Sequence, residues 1–488
     1  MTDDLRRDAE LPGGVRLHAR VLVDADVAAH FSGHAQLQGM LDVEAALACA
    51  EAEVGLIPAS CVASIQSAAR AELYDTGRIA AEATETGNPV IPVVRQLTAR
   101  VAQADADAAR FVHWGATSQD ILDTGLVLQL RAAVPTVIDH LARGVRAAAA
   151  QARRYAGATM AGRTWLQQAT PVTFGLKAAG WADALERTRR RLQAALDDAL
   201  VLQLGGASGT LASLGSQGPA VTETLAARLE LAAPDMPWHA HRDRFAQLAC
   251  ALGIAAGAGG KVGRDVGLLA QTEVGEVAER PAQGRGGSST MPQKRNPVAA
   301  SAALAAAGRA PGLVATMLAA MGQEHERGLG NWQIEWDTLP DLVMVTATGV
   351  RAAADALDGL VVDTDRMRAN AEASGGILLA ESIAMALAGS IGRHEAHACI
   401  AAACRRAANE GRPLADALAD DPLVMQHLDH PEIARRLSAD NYLGATRDYI
   451  DRVLQRMDNA GAGAPDPPAG SSGGARGGAT DEDEARRR

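Results

Sequence analysis

Aromatic residues are scarce in this sequence: phenylalanine, tyrosine and tryptophan together make up 3% of its 488 residues. Runs in which β-branched and aromatic residues alternate, as they do in the strands of β-rich proteins, are nearly absent. Apolar residues nevertheless account for 48% of the chain, which is enough to build a large core. The composition therefore favours a folded, all-α protein of two or three domains.

The chain also lacks a surplus of positive charge. Its 47 lysines and arginines are outnumbered by 58 aspartates and glutamates, and the net charge is -11. Proteins that bind nucleic acid neutralise phosphates with lysine and arginine, so no nucleic-acid partner is expected. A local cationic pocket is still compatible with an acidic protein of this kind.

Cysteine patterns that would indicate a disulfide framework or a metal site are missing, since the five cysteines form no CxxC pair. They are Cys49, Cys61, Cys250, Cys399 and Cys404. Scattered, reduced thiols are typical of the cytosol. Residues 1–14 contain no apolar segment of signal-peptide length, and no uninterrupted apolar run approaches the ~20 residues of a membrane span. These features predict a soluble, cytoplasmic protein with no membrane partner.

Several common catalytic motifs are absent as well. The glycine-rich residues 257–265 include Lys261, but Val262 follows it where a P-loop has serine or threonine. No GxSxG motif occurs, and "HEAH" at 394–397 is one residue short of the zinc-binding HExxH. His239 and His241 have the spacing of a metal pair, but no third ligand lies nearby in the sequence, which favours an ordinary polar surface or a substrate contact. The sequence thus predicts an enzyme with no bound metal and no nucleotide cofactor.

Apolar residues at helical spacing are abundant, and they recur over long distances. Three such stripes are Leu126, Leu130, Val134, Val137, Leu141 and Val145; Leu185, Leu192, Leu196 and Leu200; and Phe245, Leu248, Leu252, Val262, Val266 and Leu269. Alanine occupies many of the positions between them, which favours helix and close helix packing. The pattern predicts a bundle of long helices.

One segment, "GGSSTMPQKRNP" at 286–297, cannot continue a helix. Its glycines allow a loop to open and close, which would deliver Ser288 and Ser289 to a substrate while Lys294 supplies positive charge. The alternative is a solvent-exposed loop that only caps the following helix. The complete string favours a functional loop, because a capping loop has no need of Lys294, Asn296 and Pro297 in addition.

The string "GSSTMPQKRNP" resembles the signature of the fumarase/aspartase superfamily. "HWGATSQDILDT" at 113–124, "AGRTWLQQATP" at 161–171, "LGGASGT" at 204–210 and "HERGLGNWQIEW" at 325–336 resemble other segments of the same superfamily. The resemblance implies three α-helical domains, at 1–115, 116–365 and 366–458, followed by a disordered tail at 459–488. It also implies a homotetramer whose core is a bundle of long helices and whose active sites are shared between subunits.

The resemblance assigns roles to residues of these segments. The superfamily eliminates a group beside a carboxylate, and the dianionic intermediate needs cations and hydrogen-bond donors aimed at it. Lys294, Asn296, Thr117 and Ser118 match the positions that do this. Ser288 matches the proton-transfer serine, with Ser289 as a possible substitute, and His113 matches a histidine of several members. Arg327 is a candidate carboxylate clamp, with a salt bridge to Glu324 or Glu326 as the alternative.

Position 165 departs from most lyases of the superfamily, which carry a histidine there to protonate an amine or hydroxyl leaving group. Here it is Trp165. A carboxylate leaving group has a conjugate acid with a pKa near about 4 and departs without such an acid. Among superfamily reactions, this favours the interconversion of 3-carboxy-cis,cis-muconate and its lactone, 4-carboxymuconolactone, in protocatechuate catabolism. Arg163, Gln168 and Arg242 are further candidates for binding this polycarboxylate.

Two alternatives stay open at this point. An amine-releasing lyase, similar to adenylosuccinate lyase, would need another residue in place of the missing histidine, such as His113 or His239. A superfamily member without catalytic activity would retain the fold as a binding or structural protein. The presence of Ser288, Lys294 and Asn296 disfavours the second alternative.

Overall fold

The computed structural model describes residues 23–280, 286–287 and 290–462. Its first helices are α1 Ala25–Ala29, α2 Gly33–Val54, α3 Val62–Ala68, α4 Thr76–Thr86, α5 Val90–Ala104, α6 Ser118–Arg154, α7 Phe174–Ala199, α8 Gly218–Leu229 and α9 Asp243–Leu269. Those that follow are α10 Val298–Ala319, α11 Asn331–Asp358, α12 Thr364–Glu372, α13 Ala380–Ile391, α14 Arg393–Glu410, α15 Leu414–Ala419, α16 Pro422–His427, α17 His430–Arg436 and α18 Thr446–Ala462.

Helices account for most of the described chain, so the all-α prediction is confirmed. Five long helices, α6, α7, α9, α10 and α11, pack on one another as the central bundle. The predicted stripes face its interior: Leu130 and Leu141 of α6, Leu192 of α7 and Leu252 of α9 are fully buried. Burial of one apolar stripe per helix is what stabilises helices of this length.

Helix α6, the longest, begins where the sequence predicts a functional segment. Asp120, in its first turn, accepts a hydrogen bond from the backbone N–H of Thr117, which satisfies a donor at the helix N-terminus. Helix α2 crosses α6 at a pair of glycines: a Cβ added at Gly39 would lie 3.2 Å from the carbonyl oxygen of Gly125. The small residues let the two backbones approach, and they bring α2 side chains next to the start of α6.

Two short antiparallel sheets accompany the helices. Strand β1, Thr159–Thr164, pairs with β2, Gln167–Thr173, and β3, Val277–Glu279, pairs with β4, Leu360–Val362. The all-α prediction included no strand at residues 162–171. The segment lacks the alternation of large apolar residues that marks a strand, because half of the hairpin projects from the body of the protein.

The hydrophobic core forms two clusters. The larger cluster joins the N-terminal helices to the central bundle and includes Ile450 and Leu454 of α18. The smaller cluster lies within α13–α17, around Ile383 and Leu418. The predicted division at 115, 365 and 458 stays a prediction. Helix α18 extends to Ala462, and the rest of the predicted tail, 463–488, lies outside the described residues.

Three helices are long and apolar enough, by length and composition alone, to cross a membrane: α6, α9 and α10. The sequence analysis, which looked for uninterrupted apolar runs, did not identify them. The most apolar windows of α6 and α9 are each 61% buried within this chain, whereas that of α10 is 28% buried. The apolar surface of α10 is therefore largely uncovered by the chain itself.

Glu51 is a buried acidic side chain in the core between α2 and its neighbours. It is fully buried, and neither carboxyl oxygen has a hydrogen-bond partner within the described residues. Burial, followed by the charge of Glu44 two turns away, raises the pKa of Glu51 to about 9. The carboxyl group is therefore neutral in the folded protein at pH 7 and ionised in the unfolded chain.

We expect Glu51→Gln to stabilise the protein increasingly as the pH rises. Between its unfolded pKa near 4.5 and its folded value of about 9, Glu51 holds a proton only in the folded state. Its contribution to stability therefore falls by up to about 1.4 kcal/mol per pH unit in this range. Thermal unfolding at pH 5, 6.5 and 8 should give an advantage over wild type that is small at pH 5 and largest at pH 8.

Glu53→Gln is the matched control for this experiment. Glu53 lies on the same helix, is exposed, and pairs with Arg228 at the surface, where such pairs contribute little. Its stability difference from wild type should be small at all three pH values. A Glu51→Gln protein no more stable than wild type at pH 8 would contradict the assigned burial.

Candidate active site

The segment before α6 turns sharply at two residues. His113 and Gly115 both have positive φ angles, 59° and 71°. A Cβ at Gly115 would lie 2.3 Å from Leu214 Cδ2, so only glycine fits at this position. Histidine tolerates the left-handed region better than most residues, and this turn directs its side chain towards α2.

Asp120 connects this segment to the glycine-rich residues 204–210. The carboxylate is fully buried and accepts hydrogen bonds from the backbone N–H groups of Gly205 and Gly206, at 3.1 and 2.9 Å, and of Thr117, at 3.1 Å. Burial raises the pKa of Asp120, while Arg327 and the backbone donors act in the opposite direction. One buried side chain thus fixes two loops relative to each other.

Arg327 joins the same cluster from the segment before α11. Its Nη1 donates to Gln119 Oε1 at 2.7 Å, its Nη2 donates to the carbonyl oxygen of Gly206, and Nη2 lies 3.4 Å from Asp120 Oδ1. The alternative salt bridge to Glu324 or Glu326 is not formed, since Glu324 accepts instead from the backbone N–H of Leu329. About a quarter of the Arg327 side chain, 23%, stays exposed.

Arg242 was predicted to bind substrate, and the structure corrects this. The guanidinium is 2% exposed and lies between two carboxylates: Nη1 donates to Asp123 at 2.7 Å, and Nε donates to Glu335 at 3.0 Å. Nη2 donates to both carboxylates, and the rings of Trp238 and Phe245 cover the guanidinium within 5 Å. Each guanidinium nitrogen of Arg242 donates to a carboxylate inside the protein, and the buried group is not presented to a substrate.

Gln119 links the Arg242 cluster to Arg327. Its amide nitrogen donates to Asp123 Oδ2 at 3.1 Å and to the carbonyl oxygen of His239 at 2.9 Å, which orients the amide oxygen towards Arg327. Sequence reasoning missed Gln119 and Asp123, although both lie in the segment "HWGATSQDILDT". The signal available was their spacing: residues four apart on a helix share a face.

Two histidines lie on either side of the 204–210 loop. His113 Nδ1 is 2.6 Å from Glu44 Oε1; burial alone would lower the pKa of His113, but the hydrogen bond and charge of Glu44 raise it above its ordinary value. His239 packs against Gly209 and Nδ1 has no partner among the described residues. Burial, and then the charge of Arg327, lower the pKa of His239. The pKa values of the two rings are therefore shifted in opposite directions.

The β1–β2 hairpin carries three other predicted site residues. Arg163 donates two hydrogen bonds to the buried carboxylate of Glu276, at 3.0 and 2.6 Å, and Gln168 donates to the carbonyl oxygen of Asn370. Trp165 forms the turn and is 96% exposed, with a φ of 53°. Glu276 and Asn370 thus anchor the hairpin, and its tip extends away from this chain.

The signature loop is described at its two ends. The backbone N–H of Asn296 donates to the carbonyl oxygen of Gly286 at 2.9 Å, and Glu279 caps α10 by accepting from the N–H groups of Ala299 and Ala300. The base of the loop is therefore closed, and Lys294 beyond it is exposed. The predicted proton-transfer residues Ser288 and Ser289 lie outside the described residues.

A metal centre has no obvious place in this arrangement. Within residues 23–280, 286–287 and 290–462, no three histidine, cysteine, aspartate or glutamate side chains are grouped as metal ligands. His239 and His241 are not joined by a third ligand in that part of the chain. The same described range holds all five cysteines as free thiols.

The fold and these segments define a lyase of the fumarase type. A family model described as Lyase matches residues 21–312, and one described as Adenylosuccinate lyase C-terminus matches residues 376–453. The chain belongs to this lyase family, and the superfamily resemblance read from the sequence is confirmed.

Similar proteins extend over nearly the whole chain. The 3-carboxy-cis,cis-muconate cycloisomerase of Pseudomonas aeruginosa is 51% identical over 430 residues, which are 88% of this chain and 94% of that protein. That of Bradyrhizobium diazoefficiens is 49% identical over 91% of this chain and 98% of its own length. The crystal structure of the 3-carboxy-cis,cis-muconate lactonizing enzyme from Pseudomonas putida matches 91% of this chain and 99% of its own, with a TM-score of 0.86 and 46% identity.

We expect Arg242→Met to lower the free energy of unfolding by about 3–5 kcal/mol, because it leaves two buried carboxylates without their cation. Urea unfolding at a fixed protein concentration measures this. Arg244→Met is the matched control: Arg244 pairs with Asp198 at the surface and should contribute less than about 1 kcal/mol. If Arg242 instead held substrate, its loss would raise KM and leave the stability unchanged.

Proposed function

We propose that this protein is a 3-carboxy-cis,cis-muconate cycloisomerase, an intramolecular lyase of protocatechuate catabolism. The observation that carries the proposal is the tryptophan at position 165, at the tip of the hairpin, in a chain that two proteins of that name match over 88% and 91% of its length. The sequence analysis reached the same reaction from Trp165 and the surrounding segments.

The reaction is an isomerisation, so its atoms balance without a second substrate. One carboxylate oxygen of 3-carboxy-cis,cis-muconate forms a C–O bond across a double bond, and the adjacent carbon gains a proton, which gives 4-carboxymuconolactone. In the reverse direction the proton is removed beside a carboxylate and the lactone C–O bond breaks. The intermediate carries an additional negative charge on that carboxylate, which cations and N–H groups stabilise.

The indole at position 165 fits this reaction and disfavours an amine-releasing one. An amine anion is strongly basic and needs a proton donor, whereas a carboxylate leaves unaided because its conjugate acid has a pKa near about 4. Trp165 cannot donate a proton to a leaving group at neutral pH. It offers an apolar surface instead, which excludes water from the lactone.

The groups available to a polycarboxylate are fewer than the sequence suggested. Arg242 and Arg163 are each held by carboxylates of the protein. Lys294, the exposed part of Arg327, and the N-terminus of α6 at Thr117 and Ser118 remain as the electropositive groups. We assign Lys294 and Asn296 to the reacting carboxylate, and Ser288, with Ser289 as substitute, to proton transfer.

We further propose a cytoplasmic homotetramer with active sites shared between subunits. The largely uncovered apolar face of α10 supports association of the central bundles, because apolar surface of this extent is normally buried. The projecting hairpin tip supports shared sites: Trp165 and Leu166 are 96% and 79% exposed, in a turn whose two residues both have positive φ. Such a turn costs backbone energy, and a partner that receives the two side chains offsets it.

We expect the purified, chelator-treated protein to remove the ultraviolet absorbance of the conjugated diene of 3-carboxy-cis,cis-muconate. Ser288→Ala should lower the rate by about 100-fold or more, which is typical of losing a group that transfers a proton. Ser67→Ala, an exposed serine of α3, is the matched control and should retain wild-type activity. Adenylosuccinate and argininosuccinate are assayed in parallel, and release of fumarate from either, with no change in muconate, would contradict the proposal.

We expect two inactive variants to restore activity to each other when their subunits are mixed. Ser288→Ala and Trp165→Ala place their defects in different segments, so some sites of a mixed tetramer contain neither change. The measurement is the muconate assay after co-refolding, with the oligomeric state checked by light scattering. Mixed tetramers without activity would contradict shared sites while leaving the assignment of the reaction intact.

A further inference from the structure

Glu44 has no role in the reaction as described, and nothing in its own segment marks it as functional. It lies on α2 and its side chain is 1% exposed. Oε1 is 2.6 Å from His113 Nδ1, and Oε2 has no hydrogen-bond partner within the described residues. A buried carboxylate is costly unless it is paired, and His113 supplies this one with its pair.

We propose that Glu44 is a positioning residue for His113: it binds the ring at Nδ1, fixes the orientation of the imidazole, and leaves Nε2 to face a carboxylate of the substrate. The proposal rests on the proposed function for its substrate, and on the 2.6 Å contact for its geometry. It deepens the site by assigning His113, whose pKa is raised, to the substrate carboxylates that Lys294 and Arg327 are also proposed to bind.

The backbone supports a fixed orientation for His113. The residue adopts a φ of 59° and lies two positions before Gly115. The carbonyl oxygen of Gly115 accepts a hydrogen bond from the Ser213 hydroxyl. On the other side, Asp120 binds the N–H of Gly206, which packs against the same carbonyl group. With the backbone held, the contact with Glu44 restricts the side chain as well. A ring fixed at Nδ1 presents Nε2 in one direction.

The charges around His113 agree with a protonated ring. Two carboxylates act on it, Glu44 from α2 and Asp120 from the start of α6, and both favour the imidazolium. Arg327 faces Asp120, not the ring of His113. Loss of the proton from His113 would leave Glu44 buried without a cation, so the carboxylate and the ring are coupled.

His239 and Glu51 provide internal comparisons. His239 lies on the other side of the 204–210 loop, has no carboxylate at Nδ1, and has a lowered pKa, as expected of a ring that is only buried. Glu51 lies seven residues from Glu44 on the same face of α2, but it is neutral at pH 7. Of these two carboxyl groups on α2, it is therefore Glu44 that raises the pKa of His113.

The first test measures protonation of His113 without reference to any substrate. Exchange of the histidine C2 hydrogen for deuterium, followed by mass spectrometry across pH, reports the pKa of each histidine in the full-length protein. We expect the pKa of His113 to lie above 6.5 in wild type and to fall by about one unit in Glu44→Gln. His239 should be unchanged, and Glu51→Gln should leave His113 as it is in wild type.

The second test measures kcat/KM for 3-carboxy-cis,cis-muconate across pH. A one-unit fall in the pKa of His113 reduces the protonated fraction about tenfold at alkaline pH. Glu44→Gln should therefore lose about tenfold at pH 8 and clearly less at pH 6, with Glu51→Gln close to wild type throughout. In a His113→Gln background, Glu44→Gln should cause no further change in the pH profile.

The outcomes separate this proposal from the proposed function. Equal pKa values for His113 in wild type and Glu44→Gln, or an equal shift in Glu51→Gln, would overturn it. So would a loss of kcat/KM in Glu44→Gln that is the same at pH 6 and pH 8, since that pattern indicates a purely structural role. If muconate is not a substrate at all, the exchange measurement still decides whether Glu44 controls the protonation of His113.

Discussion

The geometry of the candidate site depends on one buried carboxylate, Asp120. It satisfies the N-terminus of α6, holds the N–H groups of Gly205 and Gly206, and lies within reach of Arg327. These groups come from three segments that are far apart in the chain, and each would otherwise leave a donor without a partner. Because the hydrogen bonds share one acceptor, a shift in one loop would be transmitted to the other two.

The other buried charged groups around the site are also held by partners within the protein. The protein encloses several ionised groups in a bundle with few aromatic residues, and each is placed opposite a partner: Arg242 between Asp123 and Glu335, Arg163 with Glu276, and His113 with Glu44. Glu51 has no such partner among the described residues, and there the cost of burial is avoided by keeping the proton. Pairing and protonation are the two ways in which a core tolerates an acidic side chain.

The parts of this molecule that could be predicted from the sequence are those determined by residues close to one another in the chain. The stripe through Leu130 and Leu141 repeats at helical spacing, and "HWGATSQD" carries its own helix start, so both could be read without tertiary information. Arg242 was misassigned because an arginine in a motif looks the same whether it binds substrate or a buried carboxylate. Its partner Glu335 is 93 residues away, and Glu44 is 69 residues from His113. Contacts over such distances follow from packing, which single-sequence patterns do not encode.

A cation that is held firmly in an ion pair within the protein is not available to bind a substrate, whereas a weakly held cation is. Arg163 makes two parallel hydrogen bonds to Glu276, and all three guanidinium nitrogens of Arg242 donate to two carboxylates. Such pairs are not exchanged for a ligand without exposing a buried charge. Arg327 is held more weakly, with a carboxylate at 3.4 Å, neutral acceptors at its other nitrogens, and part of its surface open. A polycarboxylate therefore gains most at Arg327 and at the exposed Lys294, in a protein whose net charge of -11 would otherwise repel it.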